Sequence, residues 1–154
     1  MPSREKLADF VAWCGKHISG DEKGQAQIFL DRLFQAFDQP GSLDVGGHPE
    51  FRIRKASEDG GGTAFADFVW KPVVLVEMKK RGTDLQKHYR QAFDYWTRLV
   101  PNRPRYVVLC NFDEFRVYDF DTDAQFPSRV RATKSALGRT KHQFAGRSRR
   151  DFLP

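Results

Sequence analysis

Asp67-Phe68-Val69-Trp70-Lys71-Pro72-Val73-Val74-Leu75-Val76-Glu77-Met78-Lys79 sets three ionisable side chains into sequence that otherwise reads as buried strand. An isolated ion in an apolar interior costs several kcal/mol or more unless it is paired or bound to metal. Lys71-Pro72 marks a turn, with Phe65 to Trp70 as one strand and Val73 to Lys79 as the next. The later strand is apolar on both faces, which predicts a central position in a sheet. Side chains alternate along a strand, so Glu77 and Lys79 point the same way, roughly 7 Å apart. Val73 and Leu75 share their face, and Val74, Val76 and Met78 fill the other. Across the short turn Asp67 can lie beside Glu77. Two convergent carboxylates form a hard-oxygen site suited to Mg2+ or Mn2+, with the remaining positions left to water and phosphate. Lys79 would then orient a water or stabilise charge on a phosphate oxygen. The plain alternative is a cross-strand ion-pair cluster at a sheet margin, because D-x9-E-x-K is a short pattern.

Helical spacing of Leu7, Phe10, Val11 and Trp13-Cys14 predicts a first helix over about Lys6 to His17. Ser19-Gly20-Asp21 breaks it. A second helix carries Ala26, Phe29-Leu30, Leu33-Phe34 and Phe37 on one stripe and ends before Pro40-Gly41. Residues 38–49 read as a loop, Phe51 to Arg54 as a half-exposed strand, and Glu58 to Gly62 as a turn. After Lys79, Thr83 or Asp84 can cap a third helix bearing Leu85, Tyr89, Ala92-Phe93, Trp96 and Leu99. Strands at Arg105 to Cys110 and Phe115 to Phe120 flank a tight turn at Asn111 to Glu114. The order α-α-β-β-β-α-β-β predicts an α/β (α+β) fold, a mixed sheet flanked by helices.

At 154 residues, 40% apolar and 30% charged, the chain fits one globular domain with a real core. No apolar run nears the roughly 18 to 20 residues that span a bilayer. The N-terminus lacks a signal-peptide core. Cys14 and Cys110 fit neither a disulfide framework nor a zinc spacing, so a reducing cytoplasm is expected. The net charge of +6 is unevenly distributed. Residues 129–150 hold eight Lys/Arg and no acid, which leaves 18 basic and 19 acidic residues over 1–128, a net of −1. The reading is therefore a near-neutral domain at 1–125 and a basic tail at 126–154, either poorly ordered, out of context or in contact with phosphates. Neither a P-loop nor a nucleophile elbow occurs, and Gly60-Gly61-Gly62 precedes a strand instead of a helix.

The element order with D-x9-E-x-K on the second and third strands resembles the PD-(D/E)XK nuclease superfamily, with its restriction-endonuclease-like sheet. More narrowly, five stretches resemble the N-terminal nuclease domain of MmeI-like (type IIG/IIL) restriction-modification enzymes. They are Glu22 to Leu30, Phe65 to Asp67, Val76 to Lys79, Lys87 to Trp96, and Tyr106 to Phe115, within roughly residues 5–122. The resemblance implies that Asp67 and Glu77 bind the metal, with the Met78 carbonyl as a further ligand, and that Lys79 assists the hydrolytic water. Glu22 matches by position a glutamate that often joins such sites; on its own it reads equally as an acid favoured by a helix N-terminus. Gln91 and Tyr95 match a Q-x-x-x-Y pattern of RecB-like members, on one helical ridge with His88 a turn earlier. Gln91 is expected to line the site. Tyr95 reads as packing with a satisfied hydroxyl, and His88 as a helix-surface residue or one just behind the site.

The resemblance further implies a Mg2+- or Mn2+-dependent endonuclease acting on double-stranded DNA in the prokaryotic cytosol, with two copies needed to cut both strands. Relatives of this kind also carry methyltransferase and target-recognition domains, and S-adenosylmethionine would bind only that methyltransferase part. No Asn-Pro-Pro-Tyr-type motif occurs in these 154 residues. An excised domain, a truncated product and a free-standing relative all remain open here. So do two other classes: a non-catalytic nuclease-fold scaffold, and a nucleic-acid adaptor that works through its basic tail.

Overall fold

The structure, a computed structural model, describes residues 2–55, 57, 60–120 and 122. Helices α1 (Arg4–His17) and α2 (Glu22–Ala36) lead into strands β1 (His48–Arg54), β2 (Thr63–Trp70) and β3 (Val74–Met78). A 3-10 turn (Leu85–His88) runs straight into α3 (Tyr89–Thr97), followed by β4 (Tyr106–Cys110) and β5 (Phe115–Asp119). The order is the one expected from periodicity, an α+β chain with a five-stranded mixed sheet. Several boundaries differ by a few residues from expectation. β1 begins at His48, inside the expected loop, and the third helix opens as a 3-10 turn with Asp84 Oδ1 accepting from the Gln86 N–H.

The strands lie in sequence order, β1-β2-β3-β4-β5, and every neighbour pair is antiparallel except β3–β4. That parallel pair exists because the segment with α3 crosses over between them, as a parallel connection requires. β3 is thus interior, flanked by β2 and β4, which explains why both its faces are apolar. On one face Leu75, Val107 and Leu109 bury against Leu85, Ala92 and Trp96 of the α3 layer. On the other, Val76, Met78 and Cys110 bury against Phe10, Phe29 and Leu30 of α1 and α2. Both cysteines sit in this second core. Burial pushes the Cys110 thiol up to about 12, so it packs as a small apolar group and is no nucleophile. Among the described residues, no helix is long and apolar enough to cross a membrane. The tail assigned to 126–154 lies outside the described residues.

The α1–α2 turn is held by one side chain. The Gln25 Oε1 accepts from the Ser19, Gly20 and Asp21 N–H groups, and its Nε2 donates to the His17 carbonyl. Beneath the turn runs Arg81, whose N–H donates to the Gly20 carbonyl and whose guanidinium bonds Asp113 and the Ile18 carbonyl. Gly20 has φ +97°, and a Cβ there would stand 2.3 Å from the Arg81 Cβ. Gly15, within α1, would meet nothing within 4 Å. Gly20→Ala should therefore destabilise the fold by about 2 kcal/mol or more, whereas Gly15→Ala should be neutral or stabilise by about 0.5–1 kcal/mol. Urea denaturation midpoints of the two variants check the contrast.

Candidate active site at the end of the β2–β3 ladder

β1 and β2 keep one pairing register from His48↔Val69 to Arg54↔Thr63, but Glu50 and Asp67 are missing from the ladder. The alternation of faces slips there. Ala64 and Ala66 belong to the α3-side core, Phe68 to the opposite core, and Val69 to the α3 side again. Glu50 takes up its share of the irregularity with φ +48°. Asp67 is therefore a residue at a fault in the strand. Such faults re-aim a side chain, much as a β-bulge does.

The β2–β3 ladder also stops here, at Phe68↔Val76. Beyond it the two acids replace the missing backbone bonds reciprocally. Asp67 Oδ2 accepts from the Met78 N–H at 2.7 Å, and Glu77 Oε1 accepts from the Asp67 N–H at 3.2 Å. β3 itself continues along β4, with Glu77 opposite Leu109 and the Lys79 N–H donating to the Cys110 carbonyl at 2.7 Å. Glu77 is only 2% exposed and Lys79 only 9%. The Lys79 ammonium lies 3.3 Å from Glu77 Oε2. The structure thus brings Asp67, Glu77 and Lys79 together at one end of an interior strand.

Burial is the main cause of strain in this cluster. It pushes the Glu77 carboxyl up to about 8, with the neighbouring Asp67 charge adding to the rise and Lys79 opposing it. Burial likewise raises Asp67, against the Met78 N–H bond that favours its ionised form. The nearby charges of Glu22 and Glu50 push Asp67 further up. The lysine alone does not balance the two acids, and a divalent cation would.

Glu22 is the first residue of α2, and its Oε2 accepts from the Lys80 N–H at 3.1 Å. It is thereby tied to the chain just past Lys79. Among the described residues, no three His, Cys, Asp or Glu side chains form a set able to hold a metal, so Glu22 does not complete a trio with Asp67 and Glu77. Two carboxylates with the Met78 carbonyl still suit Mg2+, which commonly takes one or two protein carboxylates and fills the rest with water and phosphate. Gln91 and Tyr95 share a ridge of α3, with Gln91 Nε2 donating to the Tyr95 hydroxyl at 3.0 Å. Both line a cleft with Ile53 and Lys55. His88 precedes α3 at the end of the 3-10 turn.

Three participants give no sign in the sequence. Gln27 donates from Nε2 to the Asp67 carbonyl at 3.1 Å, which fastens the fault in β2 to α2. Glu50 bears on Asp67 electrostatically, and Arg81 anchors the segment after Lys79. Nothing local marks these residues, because each partner is distant in sequence and the interaction exists only once the sheet forms.

The family described as MmeI, N-terminal domain matches residues 2–145. The match runs beyond the 5–122 stretch and covers much of the basic segment. Nothing among curated proteins or solved structures matches the chain.

The raised Glu77 carboxyl has a consequence for the metal-free protein. Below about pH 4.5 Glu77 is protonated both folded and unfolded. Between 4.5 and about 8 the unfolded chain releases that proton and the folded chain keeps it, so stability falls as pH rises through this window. Glu77→Gln removes this dependence. Relative to the parent, the variant should gain about 3–5 kcal/mol in unfolding free energy from pH 4.5 to pH 8.5. Chemical denaturation in EDTA at several pH values checks it; equal pH profiles would contradict the burial assigned to Glu77.

Proposed function

The chain belongs to the MmeI N-terminal domain family, a restriction-enzyme-associated family, and from that premise we propose that it is a Mg2+- or Mn2+-dependent DNA endonuclease domain. The observation that supports this most is the reciprocal Asp67–Glu77 arrangement, with Lys79 3.3 Å from the second acid. A purely structural sheet gains little from two buried acids whose ionisation is opposed by burial, with the Asp67 charge adding to the rise at Glu77. A hydrolytic metal site gains directly from them.

Asp67 and Glu77 would hold the cation, with the Met78 carbonyl beside them. When bound, the cation supplies Lewis-acid polarisation of the scissile phosphate and a more acidic bound water. The protein's own contribution is orientation. The Met78 and Asp67 N–H bonds pin one oxygen of each carboxylate, and the second Glu77 oxygen holds the Lys79 ammonium. Lys79, held by its backbone bond to Cys110, presents its ammonium where an attacking water or a developing phosphate charge would sit. Gln91 would line the approach. The substrate is double-stranded DNA; one site cuts one strand, so a double-strand break takes two copies. S-adenosylmethionine chemistry and target recognition would belong to other domains.

A supercoiled-plasmid nicking assay with Mg2+ or Mn2+ tests this. Lys79→Ala and Asp67→Ala should each slow nicking by about 100-fold or more, and calorimetry should show Mn2+ binding abolished in Asp67→Ala. Equal nicking by both variants and the parent would refute the assignment.

A further inference from the structure

The cleft that contains Gln91 and Tyr95 is walled by Ile53 and Lys55 on one side and by Arg90, Asp94 and Arg98 on the other, with a volume near 470 Å³. It carries three cations and one acid, and that acid, Asp94, pairs with Arg90 at 3.3 Å. This local excess stands out on a body whose residues 1–128 sum to a net of −1.

Its position follows from the sheet. Ile53 belongs to the core on the α3 side, as does Leu75, and Glu77 and Lys79 share the face of Leu75 by strand alternation. Ile53 pairs with Ala64, three residues along β2 from Asp67, in the direction in which β3 passes from Glu77 to Lys79. The cleft therefore opens on the same face and at the same end of the sheet as Glu77, about 10 Å further along. One strand of a duplex places a phosphate about every 3.4 Å of axis, so this separation spans about three nucleotides. From this geometry we infer that Lys55, Arg90 and Arg98 form a track for the DNA phosphate backbone beside the scissile position. This rests on the nuclease reading of the adjoining site and adds the surface that aligns its substrate. Lys55 and Arg98 supply charge from opposite walls. Arg90 can exchange Asp94 for a phosphate, since its side chain is 84% exposed. The Gln91 amide, fixed on the Tyr95 hydroxyl, lines the same cleft.

Fluorescence anisotropy of a labelled 20-base-pair duplex, titrated with the whole chain in EDTA across a salt series, tests the track separately from hydrolysis. The triple variant Lys55→Gln/Arg90→Gln/Arg98→Gln should bind at least about 10-fold more weakly at low salt. It should also flatten the log–log salt slope by about 2 to 3, since each neutralised phosphate accounts for about 0.9 of that slope. The control Arg4→Gln/Lys16→Gln/Lys23→Gln removes as many charges from α1 and α2 and should leave the slope within about 1 of the parent value. Lys55→Gln alone, at an exposed strand-end position, should lower the slope by about 1 and serves if the triple variant fails to fold. An unchanged slope, or an equal weakening in the control, overturns the track even where nicking is intact. A flattened slope in a chain that does not nick supports the track and counts against the hydrolytic reading alone.

Discussion

Two peptide N–H groups at the end of the β2–β3 ladder find no strand partner, and the carboxylates of Asp67 and Glu77 take them instead. That exchange is the constraint around which this end of the molecule is organised. A buried N–H left unpaired costs about 1–3 kcal/mol, and a buried carboxylate with no donor costs more. Each group satisfies the other's need, so the strands can separate without leaving orphaned polar atoms. An uninterrupted ladder would have kept the acids on a regular face with no opening between them.

The surrounding elements hold this fault in place. Gln27 bonds the Asp67 carbonyl from α2, Glu22 bonds the Lys80 N–H, and Cys110 on β4 accepts from Lys79. Arg81 then ties the following loop to the α1–α2 turn and to Asp113. Five parts of the chain, α2, β2, β3, β4 and the α1–α2 turn, are thus tied together around two acids and one lysine. The positioning is rigid because most of these bonds terminate on backbone, which the two apolar cores immobilise. The raised Glu77 carboxyl is the electrostatic cost of that arrangement, and it is the feature a bound cation would relieve.

Much of the architecture was legible in the chain because its cues are local. Helical stripes such as Phe29-Leu30 and Leu33-Phe34, apolar continuity in Val74 to Val76, and turn residues such as Lys71-Pro72 act within a few positions of themselves. The Asp67–Glu77–Lys79 grouping was legible for the same reason, since alternation and a short turn bring them level. The slip at Asp67 was not. Regular alternation would put Phe68 on the same face as Ala66 and opposite to Val69, yet Ala66 and Val69 share a core while Phe68 packs in the other against Phe34. Gln25 was equally silent, because a glutamine one turn into a helix looks like solvent-facing polarity until the preceding turn folds back onto it.

The amino-acid sequence by itself determined the order and type of the elements, the interior position of β3, the identity of the charged triplet and the family resemblance that the comparison bears out. Periodicity and turn chemistry act at short range, and that range is what a linear reading sees. The tertiary structure alone decided how the acids are aimed, which backbone groups they satisfy, why burial raises both carboxyls, and which cations lie on the Glu77 face of the sheet. Those properties depend on hydrogen bonds and on desolvation between segments as much as 63 residues apart, such as Ile18 and Arg81. Such interactions take their strength only after the strands have paired and water has left.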